Sequence, residues 1–133
     1  LAAFRVAHRA LRQTRFLHGD TRAQDGLRDV EWKDFSGGPL QWRDPGLSNL
    51  CLILRCSAEA PAYEPAEDVV LIAFNRSGKD ARVKLPPPSE GCLWMRGIDT
   101  SVTAQTEQFE ADMADVAAQS VVAFVQMQDG SAP

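Results

Sequence analysis

The chain has 133 residues, 44% of them hydrophobic, enough for one core and one domain. Its formal charge of -4, with acids and bases interspersed, builds no basic field for a phosphate backbone, so a nucleic-acid partner is not expected. The longest apolar runs, LCLIL and VVLIAF, fall well short of the roughly 20 residues of a membrane-spanning helix, and a soluble protein with no membrane partner is expected.

In the opening LAAFRVAHRALRQTRFL, Leu1, Phe4, Ala7 and Leu11 recur on one helical face while Arg5, Arg9 and Arg12 fall elsewhere. This spacing predicts an amphipathic helix over residues 1–17. The helix opens with Leu1 rather than Met and with no capping residue ahead of it, so a segment upstream is expected. His18, Gly19 and Asp20 end it, and TRAQDG continues as polar loop.

From there the pattern changes to short strands separated by turn residues. DVEW and PLQW flank KDFSGG, where Gly37 and Gly38 can take the positive φ of a tight connection, and a small hairpin is predicted. In NLCLILRC, Leu50, Leu52 and Leu54 alternate with Cys51, Ile53 and Arg55, the pattern of a buried strand. SAEAPAYEPAED, with two prolines and several acids, reads as an exposed loop. Val69–Phe74 and Ala81–Leu85 read as two strands of an antiparallel hairpin turning at Ser77-Gly78, and Pro86–Pro88 stop the pairing because proline donates no ladder hydrogen bond. CLWMRGI and SVVAFVQM supply two further strands, and the polar stretch from Asp99 to Asp115 has no assignable pattern. The sum predicts a mainly β fold, an antiparallel, Greek-key-like β-sandwich over residues 18–133, preceded by one N-terminal α-helix.

Candidate chemistry is sparse. Cys51, Cys56 and Cys92 are an odd count without paired CxxC clusters; buried free thiols and a reducing cytoplasm are the expectation, with no signal peptide, no metal site and no cofactor. His8 and His18 stand ten residues apart, at the helix face and end, and read as structural. Asp20, Asp25, Asp29, Glu31, Asp34 and Asp44 read as solvated charge rather than as a catalytic pair. Gly37-Gly38 precedes no helix and carries no lysine partner, so nothing supports nucleotide binding. Trp32, Trp42 and Trp94, beside Phe35 and Tyr63, are the candidates for carbohydrate contact, since an indole face stacks on the C–H face of a sugar ring. Burial in the core competes with that reading, most strongly for Trp94 in its apolar strand.

The order of parts resembles a known family. LAAFRVAHRALRQTRFLHG, DVEWKDFSGG, LCLILR, LIAFNRSGKDARVKLPP, WMRGIDT and AAQSVVAFV together resemble the C-terminal end of isoamylase-type glycogen debranching enzymes of the alpha-amylase superfamily, from about Phe4 to Val125. The resemblance implies that residues 1–17 are the last helix of a (β/α)8 barrel that lies outside this chain, and that the remainder is a sandwich packed on that barrel. It implies a parent glycoside hydrolase of glycogen catabolism, cleaving α-1,6 branch linkages, whose catalytic aspartate and glutamate match no position here. No catalytic residue is therefore assigned.

Three roles follow as expectations. The first is a noncatalytic accessory domain that stabilises and positions the catalytic barrel of the same polypeptide. The second is a module binding glycogen or another α-glucan, which exposed, coplanar indoles at Trp32 and Trp42 would favour. The third is a protein-interaction domain. The apolar helix face is expected either to dock on the sheet or to pair with a second copy in a homo-oligomer.

Overall fold

The computed structural model describes residues 3, 11, 19, 27–55, 69–88, 91–101, 107–109 and 112–128. Of the expected helix over 1–17 these include only Ala3 and Leu11, so that helix lies outside the described residues, as do His8, His18, Cys56, Tyr63 and the loop at 57–68.

The described fold is β-rich and antiparallel. Its strands are β1 (Val30–Lys33), β2 (Asn49–Leu54), β3 (Val70–Asn75), β4 (Ala81–Lys84), β5 (Cys92–Asp99), β6 (Glu107–Phe109), β7 (Met113–Val116) and β8 (Ser120–Gln128). A six-stranded sheet runs in the order β1-β2-β3-β8-β5-β6, and β4 and β7 form a second, two-stranded sheet. Among the described residues β1 and β6 are the edges of the large sheet.

Side-chain alternation divides the large sheet into two apolar faces. On the inner face Cys51 stands opposite Ala73 and Ala73 opposite Val122, while Ile53, Leu71 and Phe124 form the next row. These side chains meet Val83 of β4, Leu85 just after it, Ala114 and Val116 of β7, and Phe35 and Trp94, in one buried cluster. Burying each large side chain there contributes about 1.5 to 3 kcal/mol as an upper estimate. The core is therefore the seam between the two sheets.

The outer face is apolar too. Leu52, Ile72 and Ala123 form one cross-strand row, and Leu54, Val70 and Val125 another. Val70, Met95 and Val125 are a second buried cluster, with Leu11, Leu54 and Ile72 packed against it. An antiparallel sheet with a solvated face would alternate apolar with polar, so this sheet is built to be covered on both sides. Gly19, at φ 77, lies close by in sequence, and its N–H donates to the Asp29 Oδ1 at 2.7 Å. That corrects the reading of Asp29 as solvated charge: it is fully buried.

The predicted hairpin across Ser77-Gly78 is also corrected. β3 pairs with β2 and β8, and β4 pairs with β7, so the chain crosses between sheets at residues 75–80. Asn75, only 2% exposed, holds that corner. Its Nδ2 donates to the carbonyls of Lys79 (2.9 Å), Val116 (3.2 Å) and Ala117 (3.2 Å). Its Oδ1 accepts from the Ser77 N–H at 3.0 Å and hydroxyl at 2.7 Å. One side chain thus ties both ends of the crossing to the end of β7.

The DVEW–PLQW hairpin is realised only at its tip. Lys33 bridges to Pro39, but no return strand continues and β1 pairs with β2 instead. Gly37 takes the positive φ of 90° that the tight connection demands, where a side chain would be strained.

A second clasp joins the sheets at the far side. A register shift between Arg96 and Ile98 interrupts the ladder of β5 with β8. The Arg96 guanidinium lies 5.6 Å from the Phe124 ring centroid, donates to the Asp99 Oδ2 at 2.7 Å and reaches the Asp115 carbonyl of β7 at 3.1 Å.

Candidate functional site

Trp32 and Trp42 come together at the β1 edge of the large sheet. Trp32 stands opposite Leu52 in the β1–β2 ladder, and among the described residues β1 has no strand on its other side. Trp42 sits in the turn where the Asp44 N–H donates to the Gln41 carbonyl at 3.0 Å. Asp44 Oδ1 then accepts from the Gly46 N–H at 2.8 Å. Between the two tryptophans, Asp34 Oδ1 accepts from the Ser36 N–H (3.0 Å), the Ser36 hydroxyl (2.6 Å) and the Gly38 N–H (2.9 Å). The Ser36 hydroxyl bond, with help from those backbone N–H groups and against some burial, holds the Asp34 carboxyl below its ordinary range. Two local carboxylate turns thus order the chain between the two indoles and just beyond the second.

The ring centroids are 5.4 Å apart, and the planes meet at 70°, edge to face. Trp32 is 43% exposed and Trp42 60% exposed. The exposure matches the expectation for a stacking platform; the coplanarity does not. Trp94 is elsewhere. It is 2% exposed, part of the core between the sheets, and its Nε1–H donates to the Pro86 carbonyl at 2.8 Å. An apolar strand position plus one reachable carbonyl makes it a core residue with no face for a sugar. Phe35 is likewise in the core.

A cleft of about 210 Å³ opens beside this edge, between Lys33 and Lys84, with Cys51, Ile53, Pro86 and Pro87 also lining it. Among the described residues its lining includes no carboxylate. Burial pushes the Cys51 thiol up to about 11 despite the nearby Lys33 charge, so it is a poor nucleophile at neutral pH. Cys51 and Cys92 carry free thiols.

Most of the described carboxylates are engaged in local structure. Glu31 Oε2 accepts from the Arg55 Nη1 at 2.6 Å. Asp80 Oδ1 accepts from the Ala118 N–H at 2.9 Å, and Asp115 pairs with Arg82 at 3.3 Å. Burial raises the Asp99 carboxyl, but the Ser101 hydroxyl and N–H together with Arg96 outweigh it and hold it below its ordinary range. Among the described residues no group of three or more His, Cys, Asp or Glu could hold a metal ion. No helix among them is long and apolar enough to cross a membrane. Sequence reasoning missed the corner role of Asn75 and the Arg96–Asp99 clasp; a polar residue ending an apolar strand was the available signal for both.

No protein-family model matches the chain. Part of it is similar to isoamylase 2, chloroplastic, of Oryza sativa subsp. japonica, with 26% identity over 76 residues. The match covers 57% of this chain and 10% of that relative, so it concerns a small segment of a much longer protein.

Proposed function

We propose that this chain is a noncatalytic accessory domain of an isoamylase-type glycogen debranching enzyme, whose parent hydrolyses α-1,6-glucosidic branch linkages, and that it stabilises and positions the catalytic barrel. The observation that carries the reading is the six-stranded sheet with apolar residues on both faces. The inner face is filled by the small sheet. On the outer face Leu11 packs against the Val70, Met95 and Val125 cluster, while Leu50, Leu52, Phe74 and Ile98 are only half-buried.

A sheet of this kind forgoes the hydrophobic stabilisation of its uncovered rows until something is laid on them. Leu11 supports a first segment docked on the sheet over one that pairs two copies through residues 1–17. The partial match to isoamylase 2 supports a debranching enzyme as the parent. The half-buried outer-face residues, Ile72 among them, are then the contact with the barrel. Free thiols at Cys51 and Cys92 suit a reducing compartment, and the cytoplasm is part of the proposal.

The test is a chimera in which this chain replaces the terminal β-domain of an isoamylase, assayed for reducing ends released from a branched glucan. The expected result is an active chimera that loses activity and thermal stability with Ile72→Asp on the outer face. A folded chimera indifferent to Ile72→Asp, or release of reducing ends by the chain alone, overturns the proposal.

A further inference from the structure

The large hydrophobic side chains left exposed among the described residues are Leu27, Trp32 and Trp42. The two tryptophans touch, edge to face, at 5.4 Å. Their backbones are held in place, Trp32 by the β1–β2 ladder and Trp42 by the Asp34 and Asp44 turns on either side of it. A ligand arriving at this corner finds two touching aromatic side chains on a backbone that is already ordered.

We infer that the Trp32–Trp42 corner binds an α-linked glucan chain, an inference that deepens the proposed function by giving the accessory domain a ligand. The chemistry is stacking of the C–H face of a glucose ring on an indole, with sugar hydroxyls left free to hydrogen bond at the rim. Gln41, Arg43 and Asp44, all exposed beside Trp42, supply donors and acceptors of that kind. The rings are not the coplanar pair that the sequence suggested for a glucan module, and the 70° between them selects the chain. A flat, ribbon-like β-1,4-linked glucan presents successive faces in one plane and stacks on coplanar rings. An α-1,4-linked glucan turns from residue to residue and can follow two rings that face different ways.

Size argues against a protein in the same place. The two side chains together leave open about the area of one whole tryptophan, on the order of 250 Å² against about 800 Å² per partner in a stable protein interface. A few sugar rings fit that area.

The experiment is a fluorescence titration of this chain with maltoheptaose and, separately, with cellohexaose. Buried Trp94 serves as an internal report on the fold, since its emission is set by the core. The expected result is a saturable change at millimolar maltoheptaose, absent with cellohexaose, and weakened about tenfold or more by Trp42→Ala or Trp32→Ala with the Trp94 emission retained. Trp42 lies outside the strands, so Trp42→Ala keeps the test alive where Trp32→Ala disturbs the ladder.

No response to maltoheptaose, an equal response to cellohexaose, or a response that survives both substitutions overturns the inference. Because the chimera assay requires neither indole, an active, Ile72-dependent chimera whose β-domain binds no sugar sinks this inference alone. Sugar binding with a failed chimera sinks the barrel-docking reading alone.

Discussion

Removing the Asn75 side chain should cost this small protein a large part of its stability. Asn75 has two amide hydrogens that serve three carbonyls, and its Oδ1 receives two bonds from Ser77, all at a position 2% exposed. Each buried hydrogen bond is worth about 1 kcal/mol net, and groups orphaned inside the protein add roughly 1 to 3 kcal/mol. Asn75→Ala is therefore expected to destabilise by about 2 to 4 kcal/mol, out of a typical total of roughly 5 to 15. Equilibrium urea unfolding, followed by the fluorescence of Trp94, reads the difference.

Two companions sharpen the measurement. Ser77→Ala removes one hydroxyl from the same corner and should cost about 1 kcal/mol or less. Asn75→Asp replaces the donor with an acceptor facing three carbonyls, so at neutral pH it should be less stable than Asn75→Ala. The introduced carboxylate is disfavoured when charged, which raises its folded-state pKa; its penalty is therefore relieved as pH falls towards the ordinary carboxylate range. If Asn75→Ala lies within about 0.5 kcal/mol of the parent, or Asn75→Asp matches the parent at neutral pH, the corner is not held by this side chain.

Trp94→Ala should cost about 3 to 5 kcal/mol by leaving a cavity at the sheet seam, whereas Trp94→Phe, which mainly removes the bond to the Pro86 carbonyl, should cost less; urea midpoints separate the two. Asp99 has a folded-state pKa below its ordinary value, so its contribution is fully present above the ordinary carboxylate range and is lost as pH falls through the folded value. The stability advantage of the parent over Asp99→Asn should accordingly be present at neutral pH and vanish in strong acid, and an advantage constant across that range would contradict the clasp. With its thiol pushed up to about 11, Cys51 should resist iodoacetamide at mildly alkaline pH in the native chain and react once denaturant is added; rapid native labelling, mapped by mass spectrometry, would count against its burial.

The sequence carried the strands more clearly than their partners. Apolar runs marked β2, β3, β5 and β8 because these lie in a sheet with apolar residues on both faces. It could not reveal that β3 and β4 belong to different sheets, since a strand–turn–strand pattern is the same whether the chain folds back or crosses over. Only the buried Asn75, read for its bonds, separates the two. β7 was hidden because MADV turns just Ala114 and Val116 inward, beside an outward Asp115.

At the candidate site the sequence distinguished Trp94, flanked by apolar residues, from Trp32 and Trp42, flanked by polar loops. It could not place those two within 5.4 Å, because their contact depends on how the chain turns at Asp34 between them and at Asp44 just beyond.

The most direct test of the accessory-domain account is hydroxyl-radical footprinting of Leu50, Leu52, Phe74 and Ile98, with this chain free and then joined to an isoamylase-type catalytic barrel. These half-buried outer-face side chains are predicted to lose reactivity on joining, while exposed Arg43 and Lys79 keep theirs. Unchanged reactivity across that face, in a joined protein that is folded and active, would contradict the claim that the outer sheet face is the barrel contact.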